Sequence, residues 1–157
     1  MEISETDYEV RILRSVRRII RAVDIHSRRI NSKFNVTVPQ MLCLYSLARR
    51  PEKTMSELSR DVNLGASTVN GIADRLEAKS LVRRQRSKKD RRKVYLELTD
   101  HGKEIIKKAP PLLQETVEKQ LRKLPELEQA AIALSMERMV LLMEAEDIDA
   151  SPNLLPG

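Results

Sequence analysis

Hydrophobic residues near the start of the chain recur with the spacing of a long amphipathic helix. From Tyr8 to about Asn31 the intervals between them alternate between four and three residues, which is typical of a coiled-coil seam. The seam positions are Ile12, Val16, Ile19, Val23, His26 and Ile30. A helix of about 24 residues is ~36 Å long, which is more than a small domain needs to cover its own core. We therefore expect this helix to reach a second chain.

The next two predicted helices each begin with a capping box, in which a threonine and a Glu or Gln three residues later bind each other's backbone N–H groups. Thr37 and Gln40 form the first, and Pro39 is tolerated in the first turn because its missing N–H would be unpaired there. This helix contains the segment MLCLYSL and is apolar on nearly every side, so we predict that it is buried. Thr54 and Glu57 form the second capping box, which opens a short helix.

A tight turn then joins that short helix to another one. Residues 63–65 contain a glycine, and a helical pattern follows from Ala66 to about Lys79, which is the arrangement of a helix-turn-helix. One stripe of the second helix is apolar: Val69, Ile72, Ala73 and Leu76. The opposite face carries small and polar residues: Ser67, Thr68, Asn70, Gly71 and Asp74. Side chains of this size suit contact with base edges.

A positively charged hairpin is predicted directly after this helix. Residues 81–86 and 93–98 have the composition of antiparallel strands, and the second alternates apolar and polar positions. Between Arg83 and Lys93 the chain has eight Lys or Arg and one acid, Asp90, which lies near the tip of the loop at 87–92. A cationic hairpin beside a polar-faced helix favours binding to nucleic acid.

The C-terminal third predicts more helix. Thr99 begins one helix, and Pro110 with Pro111 must kink or break it. Pro125 opens a last helix that runs to about Ala145, and residues 146–157 are predicted to be disordered. Because no linker rich in Pro, Gly or Ser divides the chain, we predict a single domain.

Composition narrows the class of protein. The 157 residues are 41% hydrophobic, 33% charged and 3% aromatic, which predicts a mainly helical fold with a real core. The formal net charge of +6 favours polyanionic partners. A single cysteine, Cys43, excludes an internal disulfide, and two histidines are too few for a tetrahedral zinc site, so we predict neither a metal nor a cofactor. Without an export signal or a long apolar run, we expect a cytoplasmic protein.

Four segments together resemble the MarR family of winged helix-turn-helix transcription regulators. They are TVPQ at 37–40, TMSELSRDVNL at 54–64, STVNGIADRLEAKSLVRR at 67–84, and DRR at 90–92 followed by LELTDHG at 96–102. The resemblance implies a mainly α fold (α+β winged helix) in one MarR-like domain, residues 1–145. Residues 37–99 would form its DNA-binding region, and residues 8–33 and 100–145 would form dimerisation helices. The family usually has glycine where this chain has Ser80.

The resemblance also assigns roles to residues. The second helix of the helix-turn-helix would enter the major groove, and the hairpin, or wing, would lie along the minor groove and backbone. The predicted DNA-binding residues are Ala66, Ser67, Thr68, Asn70, Gly71 and Arg75 in the helix, and Lys88, Lys89, Arg91 and Arg92 in the wing. By resemblance to the family's Asp-x-Arg motif, Asp90 and Arg92 are predicted to form a pair that shapes the wing and holds it to the helical body.

Three further residues have more than one interpretation. Family members often bind small aromatic or phenolic anions between the dimer region and the winged domain, and His26 and Tyr45 are the polar groups we predict for such a ligand site. Packing within the core or the dimer interface is the favoured interpretation of both. Cys43 suggests a redox sensor, since some members of the family sense peroxides, but its apolar surroundings favour an inert, buried thiol with a raised pKa.

The sequence thus predicts a homodimeric, sequence-specific DNA-binding regulator of transcription. We expect a repressor that acts on a pseudo-palindromic operator and responds to a small aromatic or anionic effector. The alternative is a winged-helix protein that organises DNA without sequence preference or contacts another protein. An enzyme is not predicted, because no set of nucleophile, base and orienting group is evident, nor a glycine-rich phosphate loop.

Overall fold

The computed structural model describes residues 7–148 and is built from seven helices and a three-stranded sheet within that range. The helices are α1 (Tyr8–Phe34), α2 (Val38–Arg49), α3 (Met55–Val62), α4 (Ala66–Ala78), α5 (Asp100–Lys108), α6 (Leu113–Leu121) and α7 (Glu126–Leu142). The strands are β1 (Lys53–Thr54), β2 (Val82–Arg86) and β3 (Val94–Leu98). The fold is therefore mainly α with a small sheet, as predicted.

Both predicted capping boxes are present. Thr37 Oγ1 accepts the Gln40 N–H at 3.4 Å, and Gln40 Oε1 accepts the Thr37 N–H at 3.1 Å. Thr54 and Glu57 form the same reciprocal pair, with distances of 3.2 Å and 2.8 Å. The backbone hydrogen bond from Thr54 is the main reason that the pKa of Glu57 falls to about 2. These local bonds set the starts of α2 and α3.

The sheet contains one strand that the sequence pattern did not predict. β3 is central and pairs antiparallel with β2 on one side and with β1 on the other. The short strand β1 pairs Lys53 with Leu96 and Thr54 with Tyr95. Two residues cannot show a periodic pattern, so only pairing with a distant segment makes this strand. The predicted strands β2 and β3 are confirmed, each one residue shorter at its start.

The core lies between α2, α3, α4 and the inner face of the sheet. Its fully or nearly fully buried residues include Met41, Cys43, Leu44, Leu47, Leu58, Val62, Val69, Ile72, Leu76, Leu81 and Leu96. Ile30 near the end of α1 also belongs to it, whereas most of that helix is exposed. The predicted buried position of α2 is confirmed. The helix-turn-helix and the sheet thus share one core, which holds α4 against a stable body.

The predicted break at the two prolines is also confirmed. α5 ends at Lys108 and α6 begins at Leu113, so residues 109–112 form an extended connection between them. The connection is attached to the body because the Tyr45 hydroxyl donates to the Pro110 carbonyl at 2.6 Å. Its last residue, Leu112, is buried.

The corner between the sheet and α5 is built from two close approaches. Ser80 has a φ of 56°, so it adopts the left-handed conformation that a glycine at this position would accept more readily. Its carbonyl accepts the Thr99 hydroxyl at 2.6 Å, and the Leu81 carbonyl accepts the Thr99 N–H at 3.1 Å. A side chain at Gly102 would collide with the Leu81 carbonyl, since an added Cβ would lie 2.2 Å from that oxygen. Only glycine fits there.

The first and last helices carry apolar side chains that the described residues 7–148 do not cover. Exposed large hydrophobic residues on α1 are Tyr8, Ile12, Leu13, Ile19, Ile20 and Ile25. Those on α7 are Leu127, Ile132, Leu134, Met136, Val140, Leu141 and Leu142. α7 has apolar side chains around its whole circumference and yet buries none of them fully, a pattern typical of a helix that is buried in its functional state.

Two further predictions concern the C-terminal tail and membrane-spanning helices. The tail predicted to be disordered, residues 146–157, lies outside the described residues from position 149 onward. No helix within residues 7–148 is both long enough and apolar enough to cross a membrane.

Candidate nucleic-acid interface

The second helix of the helix-turn-helix, α4, is held by the turn before it and by its apolar stripe. Asn63 ends α3 in the left-handed conformation, with a φ of 52°. The Ser59 hydroxyl donates to the Leu64 carbonyl at 2.5 Å and closes the turn. Val69 and Leu76 on the inner face are fully buried against the core. The orientation of α4 therefore follows from packing, which leaves its other face to solvent.

That outer face is open along most of its length. The exposed residues on it are Ala66, Ser67, Thr68, Asn70, Asp74 and Arg75. Gly71 is half-buried, and an added Cβ would meet nothing within 4 Å, so another molecule can approach the backbone closely there. The N-cap residue, Gly65, supplies no side-chain hydrogen bond to the first turn. The unpaired N–H groups at this end, together with the helix dipole, suit a phosphate.

The tip of the wing is ordered by hydrogen bonds around Ser87 and Asp90. The Ser87 hydroxyl accepts the N–H groups of Lys89 and Asp90, both at 3.1 Å. The Asp90 carboxylate accepts the backbone N–H of Arg92 at 3.1 Å, and the Asp90 carbonyl accepts the Lys93 N–H at 2.9 Å. Asp90 thus contacts the backbone of Arg92 and shapes the turn from within. Within residues 7–148, the Arg92 guanidinium forms no ion pair with Asp90.

The eight cations of the wing fall into two groups. Lys88, Lys89, Arg91 and Arg92 at the tip, with Arg86 and Lys93 just before and after the loop, are exposed and form no ion pair with an acid in the described part of the chain. The two arginines at the base of the wing are paired: Arg83 with Glu97 across the hairpin, and Arg84 with Asp74 and Glu77 of α4. The charge available to DNA is therefore concentrated at the tip, a distinction that a count of charges along the sequence does not make.

An ion pair between a buried lysine and an exposed aspartate connects the sheet to the helix-turn-helix. Lys53 of β1 has a side chain that is only 4% exposed, and it pairs with Asp61 of α3. The same ammonium group donates to the Ser46 hydroxyl of α2 at 2.8 Å. The hydrogen bond from Lys53 is the main reason that the pKa of Asp61 is lowered. No pattern in the sequence indicated this pair, because the strand that carries Lys53 exists only through its pairing with β3.

The two residues predicted for a ligand site bind the connection between α5 and α6 and the residue that follows it: Tyr45 binds the connection and His26 binds the first residue of α6. His26 Nε2 accepts the Leu113 N–H at 3.3 Å, and the Tyr45 hydroxyl binds Pro110 as described above. Burial, followed by the charge of Arg29, lowers the pKa of His26, in agreement with an unprotonated acceptor nitrogen. Burial, followed by the charge of Glu115, raises the pKa of Tyr45. Both side chains are therefore uncharged, and each attaches one end of the segment 110–113 to the body by a hydrogen bond.

Cys43 is fully buried in α2, and burial raises the pKa of its thiol to about 12. Since the thiolate is the reactive form, we expect native Cys43 to react with a maleimide at least about 100-fold more slowly than the protein unfolded in guanidinium chloride. Mass spectrometry over time measures both rates. Rapid labelling of the native protein, or loss of DNA binding in peroxide that Cys43→Ala prevents, would support a redox sensor instead.

A helix-turn-helix whose second helix has an open polar face, beside a hairpin with a cationic tip, defines a DNA-binding winged helix-turn-helix protein. The family model for the MarR family matches residues 36–94. The uncharacterized HTH-type transcriptional regulator YsmB of Bacillus subtilis (strain 168) is 32% identical over 104 residues, which make up 66% of this chain and 71% of YsmB. The chain belongs to the MarR family.

Two further similarities agree with this. The HTH-type transcriptional regulator MgrA of Staphylococcus aureus is 31% identical over 80 residues, 51% of this chain, and the match spans about half of MgrA, 54%. The crystal structure of Streptococcus pneumoniae FabT in complex with DNA has a TM-score of 0.59 and 25% identity, over 88% of this chain and 98% of FabT. The protein is thus a DNA-binding transcriptional regulator of the MarR type, and not an enzyme.

Proposed function

We propose that this protein represses transcription as a homodimer on a pseudo-palindromic operator, and that a small aromatic or anionic ligand releases it. The observation that carries the DNA-binding part is the outer face of α4, on which Ser67, Thr68 and Asn70 are polar and exposed. The inner face of the same helix is completely buried. The helix is therefore rigidly held, and its outer face has the shape and chemistry to enter a major groove.

In this proposal α4 reads the base sequence, whereas the wing contributes affinity through the phosphates. Ser67, Thr68 and Asn70 read base edges or bind nearby phosphates, and Arg75 extends this set toward the end of α4. Ala66 and Gly71 allow close approach. The cations at the tip of the wing neutralise phosphates, and Arg91 or Arg92 enters the minor groove, which is electronegative where it is narrow.

The homodimer is supported by the uncovered apolar faces of α1 and α7. A monomer with this many exposed large hydrophobic residues on its terminal helices would expose an unusually large apolar patch. A second copy of the chain offers the same helices and can cover them through a two-fold axis. Two α4 helices related by that axis would read two half-sites about one helical turn, ~10 bp, apart.

The different roles of α4 and the wing can be tested with one variant in each. Asn70→Ala removes a base contact, and we expect it to weaken operator binding by about 1–3 kcal/mol while changing binding to unrelated DNA little. Arg92→Ala removes a phosphate contact, so it should weaken binding to all sequences and reduce the salt dependence of binding by about one phosphate. Fluorescence anisotropy with an operator and a scrambled duplex over a range of salt concentrations measures both effects.

Glu104→Ala is the control, because this exposed residue of α5 lies outside the proposed interface. It should leave affinity, specificity and salt dependence unchanged. If Asn70→Ala and Arg92→Ala weakened binding to both duplexes by the same factor, the proposed roles of helix and wing would be incorrect.

The ligand response rests on the connection at residues 109–112. Tyr45 binds this connection and His26 binds the first residue of α6 directly after it, on the path that leads from α5 to α6 and α7. A ligand that competes for these two groups would change the path between the DNA-binding part and the dimer helices. We propose small aromatic or phenolic anions as effectors. Screening such compounds for release of the protein from its own promoter tests this, and release that persists in a His26→Leu, Tyr45→Phe double variant would exclude the site.

The alternative function, DNA organisation without sequence preference, is separated from repression by footprinting on the DNA upstream of the protein's own gene. A protected inverted repeat supports an operator-binding repressor, whereas uniform protection supports the alternative. A transcription assay with the same fragment then shows the direction of control.

A further inference from the structure

Arg84, at the base of the wing, makes three hydrogen bonds to α4. One terminal nitrogen of its guanidinium donates to Asp74 Oδ1 at 2.6 Å, and the other donates to Glu77 Oε2. The backbone N–H of Arg84 donates to Glu77 Oε1 at 3.3 Å. Asp74 and Glu77 lie one turn apart on the same side of the helix. A single residue of β2 therefore spans two acids on the recognition helix.

This contact requires an arginine. The planar guanidinium has donors pointing in two fixed directions, so it can bind two carboxylates at once, whereas a lysine ammonium acts as a single point charge. The Arg84 side chain is only 31% exposed, which limits competition from water. Its hydrogen bond with Asp74 is the main reason that the pKa of its guanidinium is raised. The guanidinium therefore stays charged at neutral pH.

The adjacent arginine behaves differently. Arg83 lies directly opposite Glu97 in the β2–β3 ladder and forms its ion pair with that residue. Successive side chains of a strand point to opposite faces, so Arg83 stays within the hairpin and Arg84 reaches α4. The two residues carry the same charge and each pairs with acid, but only one of them joins the wing to the helix.

We infer that Arg84 is a positioning residue for DNA recognition, which fixes the orientation of α4 relative to the wing through Asp74 and Glu77. The inference rests on the proposed function, in which α4 reads bases while the wing binds phosphates of the same duplex. Base contacts require side chains to be placed within about 0.5 Å, whereas phosphate contacts by flexible lysines and arginines tolerate more movement. We call the contact of Arg84 with Asp74 and Glu77 the brace. Weakening it should therefore reduce specific binding more than non-specific binding.

The arrangement also explains why Asp74 can occupy the outer face of a DNA-binding helix. An unpaired carboxylate there would repel the phosphate backbone, but the Arg84 guanidinium compensates its charge. Removing the arginine altogether would expose two carboxylates to the DNA and weaken binding to every sequence. A variant that keeps the positive charge is consequently the cleaner test.

The experiment compares Arg84→Lys with the matched control Arg83→Lys, since both keep the net charge. Affinities for an operator and for a scrambled duplex of equal length are measured over a range of salt concentrations, below the thermal transition of each variant. We expect Arg84→Lys to reduce the ratio of the two affinities about 10-fold, with an unchanged salt dependence. Arg83→Lys should keep the ratio within about 2-fold of the original.

Glu77→Ala gives a second, independent measurement. It removes one acceptor of the brace and should also lower the affinity ratio, and the double variant with Arg84→Lys should lower it by less than the product of the single effects, because both act on one contact. Fully independent effects would overturn the inference. So would affinities for both duplexes that fall together in proportion to the unfolded fraction measured by circular dichroism, because the affinity ratio is then unchanged.

Failure of the inference and failure of the proposed function give different results. If the unmodified protein prefers the operator and Arg84→Lys prefers it equally, only the positioning role is overturned. If the unmodified protein itself shows no preference between the duplexes, the proposed function is overturned, and the inference with it.

Discussion

Replacing Leu134 with lysine is expected to convert the proposed dimer into monomers, with a dissociation constant raised at least about 100-fold. Leu134 is 69% exposed on α7, a helix whose apolar side chains are distributed around its whole circumference. Burying a leucine contributes about 1.5–3 kcal/mol, and a two-fold interface loses two copies of it. The lysine charge must in addition be desolvated if the interface is to close. Sedimentation equilibrium over a range of protein concentrations measures the dissociation constant.

The control for this experiment is Leu134→Met, which conserves volume and hydrophobicity and should leave the dimer intact. The lysine variant should also lose most of its affinity for a two-half-site operator, because each monomer can occupy only one half-site. A Leu134→Lys protein that remained as firmly dimeric as the original would show that α7 is not covered by a second copy.

Gly102→Ala is expected to destabilise the fold by about 3 kcal/mol, the upper end of the range for overpacking. The added Cβ would lie 2.2 Å from the Leu81 carbonyl oxygen, which is a backbone atom and cannot rotate away. The same carbonyl accepts the Thr99 N–H, and Thr99 caps α5 by accepting the Gly102 N–H at 3.1 Å. Relief of the collision would therefore break the corner that joins the sheet to α5. Denaturant unfolding should show a lower midpoint with an unchanged slope.

Gly71→Ala is the matched control for Gly102→Ala. Gly71 lies inside α4, where an added Cβ meets nothing within 4 Å, so alanine should stabilise the fold by about 0.5–1 kcal/mol. Under the proposed function it should nevertheless weaken operator binding, since the extra methyl group prevents close approach to the DNA. Equal unfolding midpoints for Gly102→Ala and the unmodified protein would show that the corner can relax.

The wing was predicted from the sequence, but the pairing of its cations was not. The segment from Arg83 to Lys93 predicted a cationic hairpin, and the hairpin is present. Counting charges treated all eight cations as equivalent. In the folded protein, Arg84 instead binds acids that precede it by seven and ten residues, on another element. Such a pair has no periodic signal in the sequence, because it depends on how a strand and a helix are placed against each other.

The hydrogen-bond partners of His26 and Tyr45 were likewise not predictable from the sequence. The positions of the two residues on a helical seam and in a buried helix were predictable from spacing, and both helices are present. Their partners, the Leu113 N–H and the Pro110 carbonyl, are 87 and 65 residues away. The prolines predicted that the helix is interrupted here. They did not predict that these two side chains would bind the residues at the interruption.

The sequence by itself determined the features that depend on neighbouring residues. The capping threonines, the glycine turn and the apolar stripe of α4 all act within a few residues, and all are found where they were predicted. Only the tertiary structure decided which cations are paired, that β1 exists, and that Gly102 must be a glycine. These features arise from contacts between distant segments, whose geometry exists only after the core has brought the helices and the sheet together.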